Sequence, residues 1–462
     1  MAKRPTLSRL GFILATVGSA VGMGNLWKFP YITYENEGGA FVLVYLLAVL
    51  LIGLPLMMLE IFMGRKGRSN VVATYQKLAL QAKASPWWKG VGILAFIAML
   101  FTVFYFAIVG WVFYYFFQCL SWSINDVDVQ NLHLGQEFGA FLGNGKLQII
   151  CLSSVVLMSA FVVSFQLKKG VERAAKIMMP ILGILLLVFL IAVIPTDGFS
   201  QAIAFLFHFG SISNEGILEA VGHSFFTLGL GAGLVMTLGS YFPNDTSIFR
   251  SSLWIVFFDT LIGIIASIIM FSIIFSVPEA ERATRFSKSA AILFTTLPIL
   301  LYELPFGRII TPLFYLSVVF AALTTTIAMS EVIIAFLKEQ LQISRRKAAI
   351  LMAAILLVIG IPAALSTGAN EALSTWAPLG EKIGGGVLHI MDYTVTNWLL
   401  IISGLGSAIF VGWILDQKMV KRTFDEGGHG FQYFKIWQFA VRYVIPLAIV
   451  WILVSVVGGR TF

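Results

Sequence analysis

The sequence predicts an all-α polytopic membrane protein of about eleven transmembrane helices. Three observations predict it. The 462 residues are 58% hydrophobic and only 12% charged, with a mean hydropathy of +0.90, and a soluble fold of that size could not hide so much apolar surface. Apolar runs of about 20 residues, the length that crosses a bilayer as helix, recur along the chain. The basic residues fall in alternate gaps between those runs, as they do in chains that cross a membrane repeatedly. A β-barrel would need short alternating segments, and these runs are long and continuous.

The runs are taken in order. The first, 10–30, follows Lys3, Arg4 and Arg9; the second, 40–62, is followed by Arg65, Lys66 and Arg68. The third, 91–117, and the fourth, 148–166, are joined by the polar stretch 121–146. Lys168, Lys169, Arg173 and Lys176 stand between the fourth and the fifth, 177–194. After the polar stretch 195–215 comes the sixth, 216–241, whose following loop carries only Arg250, then the seventh, 251–277. The stretch 278–310 contains the apolar patch AAILFTTLPILL and is read as short helices capping one face of the bundle. The eighth run, 311–337, is followed by Arg345, Arg346 and Lys347, then the ninth, 348–365, and the polar stretch 366–386. The tenth, 387–416, is followed by Lys418, Lys421 and Arg422, and the eleventh is 436–457.

The pattern places the N-terminus in the cytoplasm and, with an odd number of spans, the C-terminus outside a cell membrane. By parity the four polar stretches are extracellular. The net charge of +8 is thus read as topology and not as a nucleic-acid surface. Cys119 and Cys151, in or beside apolar runs, form neither a disulfide framework nor a metal site. The N-terminal apolar stretch is superficially like a signal peptide, but it runs on into GMGNLWKFP and is expected to be retained. No hydrophilic linker is long enough to separate domains, so residues 1–462 form one transmembrane domain.

Two runs are interrupted. SAVGMGNLWKFP (19–30) places glycines, an asparagine and a lysine inside the first, and LGLGAG (228–233) breaks the sixth. The two lie five spans apart and so cross in opposite senses. Paired interruptions in corresponding halves point to an inverted repeat with a site at mid-membrane. The halves are about 8–194 and 216–416, with 436–457 outside the repeat. Unwound backbone must find partners in a bilayer: a cation suits freed carbonyls, an anion a helix N-terminus. Glycine for close helix packing is the alternative.

SAVGMGNLWKFP with NEGGAF (36–41), FFTLGLGAG (225–233), ALTTTIAMSEVIIAF (322–336) and KKGVERAAKIMMP (168–180) resemble the neurotransmitter:sodium symporter family. The resemblance runs from about residue 8 to about 416. It implies the leucine-transporter-type 5+5 inverted repeat with broken helices 1 and 6, in a bacterial eleven-span branch. It implies sodium-coupled symport of amino acids by alternating access, with two Na+ ions, no organic cofactor and no enzymatic activity.

The site residues that the resemblance implies follow. The first sodium site uses Ala20, Asn25, Thr227 and the seventh-helix Asp259, completed by the substrate carboxylate, so that each ligand raises the affinity of the other. The family more often has Asn at Asp259. An ionisable residue within a span reads as functional. Where chloride-dependent relatives bind an anion, this chain has His223 and Gly263, so Asp259 is expected to supply the negative charge and chloride not to be required. The second sodium site uses Gly18, Val21, Ala321, Thr324 and Thr325, neutral oxygens suited to weak, reversible binding. The substrate lies among Ser19, Met23, Gly24, Phe101, Tyr105, Phe226, Thr227, Gly229, Ala232, Thr325 and Met329. Gly24 offers amides and Tyr105 a hydroxyl to the carboxylate. The small Gly229 and Ala232 with adaptable Met23 and Met329 predict bulky neutral substrates, aromatic ones included. The extracellular gate is Lys28, Phe226 and Asp392, with Lys lacking the planar fork of arginine. The intracellular gate is Lys3 or Arg4 with Glu339, near Ser240, Tyr241 and Glu331. Gly170 and Pro180 are read as allowing the fifth helix to unwind.

The expected partners are a neutral amino acid and the lipid bilayer, with no nucleic acid, and a monomer is expected to suffice. A proton-coupled transporter or channel, or an amino-acid sensor of the same fold, stays open, because Asp259 could carry a proton. No HExxH or GxSxG motif supports an intramembrane enzyme.

Overall fold

The computed structural model describes residues 5–279, 282, 291–380, 384–426 and 430–460. Lys3 and Arg4 lie outside the described residues. Among the described residues, nine continuous helices are long and apolar enough to cross a membrane: Gly39–Gly67, Pro86–Ile124, Gly145–Ser164, Lys168–Val193, Ile248–Phe275, Gly307–Gln340, Arg345–Leu365, Val387–Ile414 and Phe434–Val457. The first and sixth spans are each in two pieces, and no strand is found among the described residues. The protein is an all-α polytopic membrane protein.

Most helices overrun the apolar runs that announce them, because a turn of polar residues at either end costs little at the bilayer surface. The largest shift of a single end is at the start of the fifth. It begins at Lys168, not at 177, through a π-turn over Lys168–Glu172. The basic residues placed between spans four and five therefore lie on its first turns, where Glu172 pairs with Lys176 at 2.7 Å. The segment between Gly170 and Pro180, expected to unwind, is helical here. The polar stretches also carry short helices. Ile292–Thr295 and Leu297–Glu303 are the expected cap, while Leu134–Gly143 and Gly198–Phe207 were not signalled by apolar period.

The eighth span, Gly307–Gln340, is the axis of the bundle. It packs against the third, fourth, fifth and first spans, and Thr324, Thr325, Thr326, Ser330 and Glu331 on it are all buried. Polar side chains on a buried membrane helix need internal partners. One of them, Thr325, finds partners at the break in the first span, while Thr324 bonds back to the Phe320 and Ala321 carbonyls of its own helix.

The first span runs as Arg9–Ala20, loses helical geometry at Val21 (ψ 98°), and resumes as Gly24–Glu35 with a bend of 55°. Its second piece opens with a π-turn, Gly24–Lys28. A larger residue at Gly22 would push neighbours aside: a Cβ there would lie 2.8 Å from the Tyr105 hydroxyl and 3.1 Å from Thr325 Oγ1. The sixth span runs as Asn214–Thr227, then a non-helical stretch over 228–233, then Leu234–Gly239. Gly229, Gly231 and Gly233 have φ of +62°, +83° and +70°. Such angles are cheap for glycine alone, so LGLGAG is a sequence that can stop a helix inside a membrane. Cys119 and Cys151 are buried free thiols.

Candidate functional site

The two breaks face one cavity of about 380 Å³, within the range of small-molecule sites. From the first span it is lined by Ser19, Ala20, Gly22, Met23, Gly24, Asn25, Trp27 and Lys28. Phe226, Thr227, Gly229, Ala232 and Leu234 line it from the sixth, Thr325 and Met329 from the eighth. A Cβ at Gly24 would meet nothing within 4 Å, so its backbone borders open space. Tyr105 hydroxyl accepts from Met23 N at 3.3 Å, which ties the third span to the unwound turn.

Of the expected substrate residues, Phe101 alone does not line the cavity; Met99, Thr102, Phe104 and Ile108 do so with Tyr105. The reason is helical phase. The third helix has a step at Thr102, whose hydroxyl returns to the Met99 carbonyl at 2.6 Å. Phe104, Tyr105 and Ile108 stand three, four and seven residues after Phe101, so an unbroken helix would put 101 on their face; the interruption at Thr102, between helices ending at Phe101 and starting at Val103, shifts the phase before it. Val395, Thr396 and Leu400 of the tenth span also line the cavity, and no signal in the sequence marked them.

One polar corner is tightly organised. Asp259, fully buried, accepts from Asn25 Nδ2 at Oδ1 (2.9 Å) and from Thr227 Oγ1 at Oδ2 (3.1 Å). Asn25 Nδ2 is also 3.2 Å from Thr227 Oγ1, and Asn25 Oδ1 accepts from Gly22 N at 3.3 Å. The side chains of Asn25, Thr227 and Asp259 therefore meet at one point beside both breaks. Asn25 presents its amide N–H to this corner, while its carbonyl caps the unwound backbone. A Cβ on Gly263 would lie 3.8 Å from Asn25 Nδ2, so any side chain there would point at the same corner. His223 stacks on Phe29 at 5.6 Å, and neither ring nitrogen has a partner.

A second oxygen cluster lies on the inner side of the first break. Thr325 Oγ1 is 3.2 Å from the Gly18 carbonyl, 3.4 Å from Val21's and 3.2 Å from Ala321's. Thr324 Oγ1 is 2.8 Å from the Ala321 carbonyl. One hydroxyl proton cannot serve three carbonyls, so lone pairs are left facing one another. An all-oxygen, uncharged donor set of this kind fits a hard cation such as sodium. Among the described residues no group of three His, Cys, Asp or Glu could hold a metal ion. Helices pack closely here: a Cβ on Gly18 would lie 3.0 Å from both Met179 Sδ and Thr324 Cβ.

Lys28 and Asp392 both line the cavity, but they form no ion pair. The Lys28 ammonium stands 5.1 Å from the centre of the Phe226 ring instead. The opposite end, marked by the basic loops, is closed by pairs. Glu331, fully buried, accepts from Tyr241 hydroxyl at 2.8 Å and is bound in a fork by Arg345, through Nη1 at 3.0 Å and through Nη2. Arg345 Nε also reaches the Val163 carbonyl at 2.6 Å. Glu339 accepts from Ser69 Oγ and from the backbone and side chain of Asn70 at 2.8–2.9 Å. Lys3 and Arg4, the expected partners of Glu339, lie outside the described residues; the described contacts of Glu339 tie the eighth span to the residues just past the second. Ser240 is buried, its carbonyl accepting from Arg68 at 3.1 Å.

Sequence reasoning read Arg345 only as topology, although it closes this end. It also passed over Glu60, whose carboxylate accepts from Gly231 N at 2.7 Å and Met236 N at 3.2 Å. Glu60 thus takes up amides freed by the break in the sixth span. Its signal was present: a lone acid inside an apolar run is functional by default.

Comparison with known proteins agrees with this geometry. The model of the Sodium:neurotransmitter symporter family matches residues 4–131 and 125–459. The sodium-dependent transporter YhdH of Bacillus subtilis is 30% identical over 98% of both chains. The sodium-dependent neutral amino acid transporter B(0)AT2 of Bos taurus is 28% identical over 58% of this chain and 40% of its own. The crystal structure of MhsT in complex with L-phenylalanine superposes with a TM-score of 0.85 at 30% identity, over 98% of this chain and 100% of that one. The chain therefore belongs to the Sodium:neurotransmitter symporter family, a family of sodium-coupled transporters and not of enzymes.

Proposed function

We propose that the chain imports neutral hydrophobic and aromatic amino acids together with sodium, by alternating access and without a chloride requirement. The observation that carries this is the placing of Asp259, Asn25 and Thr227 at the edge of an apolar cavity between two broken helices. The first sodium site is Ala20, Asn25, Thr227 and Asp259, with Asn25 turning its Oδ1 from Gly22 N to the ion; the second is Gly18, Val21, Ala321, Thr324 and Thr325. A sodium ion at the first would neutralise Asp259 and lie within reach of a substrate carboxylate, so ion and amino acid bind cooperatively. Gly24 and Tyr105 hold the carboxylate, and Met23, Gly229, Ala232 and Met329 form the side-chain pocket.

Lys28, Phe226 and Asp392 form the extracellular gate. Glu331, Arg345 and Tyr241, with Glu339 against Ser69 and Asn70, form the intracellular one. Lys28 apart from Asp392 and Glu331 clamped by Arg345 suit a state open towards the outside. The basic loops then face the cytoplasm. Residues 8–194 and 216–416 are the two inverted repeats, with 436–457 outside them.

A binding screen of the twenty amino acids on purified protein, in sodium and then in choline, tests the reading. Phenylalanine, tryptophan, leucine and methionine should bind in sodium, with charged amino acids absent; binding unchanged in choline at fixed pH would replace sodium with proton coupling. Counterflow of labelled substrate in proteoliposomes separates transport from sensing. MhsT, captured with phenylalanine, supports the aromatic assignment. Ala232→Phe should lower tryptophan affinity at least tenfold while leaving leucine within about threefold, since overpacking a filled pocket costs about 1–3 kcal/mol. Unchanged tryptophan affinity with weakened leucine would misplace Ala232.

A further inference from the structure

One cationic side chain inside a membrane span has no part in the transport site. Arg442 lies in the eleventh helix, Phe434–Val457, on a π-turn over Ala440–Val444. Its Nε donates to the Gly412 carbonyl at 2.6 Å, and its own carbonyl accepts from Trp413 Nε1 at 3.2 Å. The guanidinium carbon stands 5.6 Å from the Trp413 ring centre. A Cβ on Gly412 would lie 3.2 Å from Arg442 Cγ, so the glycine seats the arginine stem. Among the described residues Arg442 has no acidic partner, and neither terminal nitrogen meets an acceptor.

The surroundings are the outside of the bundle. Trp413 is 54% exposed, Phe439 59% and Tyr443 43%. Tyr443 meets Trp413 edge-on at 5.5 Å and Phe439 at 5.2 Å. Four N–H donors without acceptors cannot rest in hydrocarbon. Two facts set where the side chain can turn. Residues on a helix lean towards its N-terminus, and the eleventh helix starts at the basic end of the bundle, next to the helix Gln417–Asp425 with exposed Lys418, Lys421 and Arg422. Arg442 lies about 12 Å below the start of its helix at 1.5 Å per residue, a depth from which arginine reaches the headgroups by snorkelling. Exposed Trp and Tyr mark that same level.

We propose that Arg442, framed by Trp413 and Tyr443, binds the phosphate of an anionic phospholipid at the basic end of the bundle. The free fork of the guanidinium matches two oxygens of a phosphodiester, which a rounder ammonium matches less well. An anionic headgroup fits better than phosphatidylcholine, whose choline would bring a second cation beside Arg442. The acyl chains would lie over the exposed rings of Trp413, Phe439 and Tyr443.

The test is lipid retention by the purified protein in native mass spectrometry, with phosphatidylglycerol against phosphatidylcholine of the same chains. Wild type should retain several-fold more phosphatidylglycerol. Arg442→Gln should remove the preference, and Arg442→Lys, which keeps the charge and loses the fork, should fall between them. Lys435→Gln, on the same helix nearer its start, should change retention less than twofold. The rise in melting temperature that phosphatidylglycerol gives to wild type should vanish in Arg442→Gln, which separates lost binding from lost folding. Equal retention by wild type and Arg442→Gln would overturn the assignment. So would an equal loss in Lys435→Gln, which would make the attraction diffuse, or full displacement of the lipid by millimolar inorganic phosphate.

Discussion

Asp259→Asn should lower sodium affinity by one to two orders of magnitude and make the residual uptake rise with chloride. Among the described residues, Asp259 is the acid whose side chain bonds to both Asn25 and Thr227, the residues flanking the two breaks. Asparagine keeps one acceptor oxygen, so the contact to Asn25 or Thr227 can survive, but the charge is gone. Opposite unit charges about 4 Å apart attract by about 4 kcal/mol at an effective dielectric of 20. Losing even half of that is roughly a thirtyfold loss of affinity. An added anion would restore the charge. Gly263 leaves its side of the corner without a side chain, and His223 nearby has both ring nitrogens unpartnered. The measurement is sodium titration of substrate binding in chloride and in gluconate. Wild type should give the same curve in both; the variant should be weaker in both, and weakest in gluconate. If the variant binds sodium as wild type does and takes up substrate without chloride, Asp259 is not the compensating charge.

How far such a site can be read in sequence depends on whether a residue announces its own environment. Broken helices do. Three glycines in alternate positions, 229, 231 and 233, weaken a helix and permit positive φ, and SAVGMGNLWKFP puts polar atoms where lipid would not accept them. Asp259 announces itself too, because burying a charge needs a reason. Phe101 does not. It is one aromatic among many on the third span, and only the step at Thr102 decides which face meets the cavity. Val395, Thr396 and Leu400 are ordinary residues of an apolar helix, placed at the site by the packing of the tenth span against the breaks. Arg345 was legible as one of the basic residues that follow the eighth run but not as a partner of Glu331. Charge in a loop sets topology by its sign, whereas pairing depends on how the eighth and ninth helices meet. The fifth helix shows a third limit. Its first turns are polar, so hydropathy starts it at 177 although its backbone hydrogen bonds start at Lys168.

Glu60→Ala should abolish substrate binding at concentrations that saturate wild type, although Glu60 does not line the cavity. The break leaves amides without helical acceptors, and Glu60 takes two of them: Gly231 N within 228–233 and Met236 N in the first turn of Leu234–Gly239. Alanine removes both acceptors at once. A buried amide left unpaired costs about 1–3 kcal/mol, and the methyl group also leaves a hole in a close-packed region: Gly231 lies against the Leu400 carbonyl and the Phe225 ring. The backbone then has two ways to recover. It can rewind towards helix, which the positive φ of three glycines opposes, or it can shift so that water enters. Either moves Phe226, Thr227 and Gly229 out of register with Asn25 and Asp259. Glu60→Gln separates the causes, since it keeps one acceptor and most of the volume and should retain binding at about tenfold lower affinity. The readouts are substrate affinity in sodium and the melting temperature in detergent. Glu60→Ala should lower both, whereas Ala232→Phe should change selectivity with little effect on melting. If Glu60→Ala binds and melts like wild type, the broken sixth helix holds its shape without a carboxylate, and the role assigned to Glu60 is wrong.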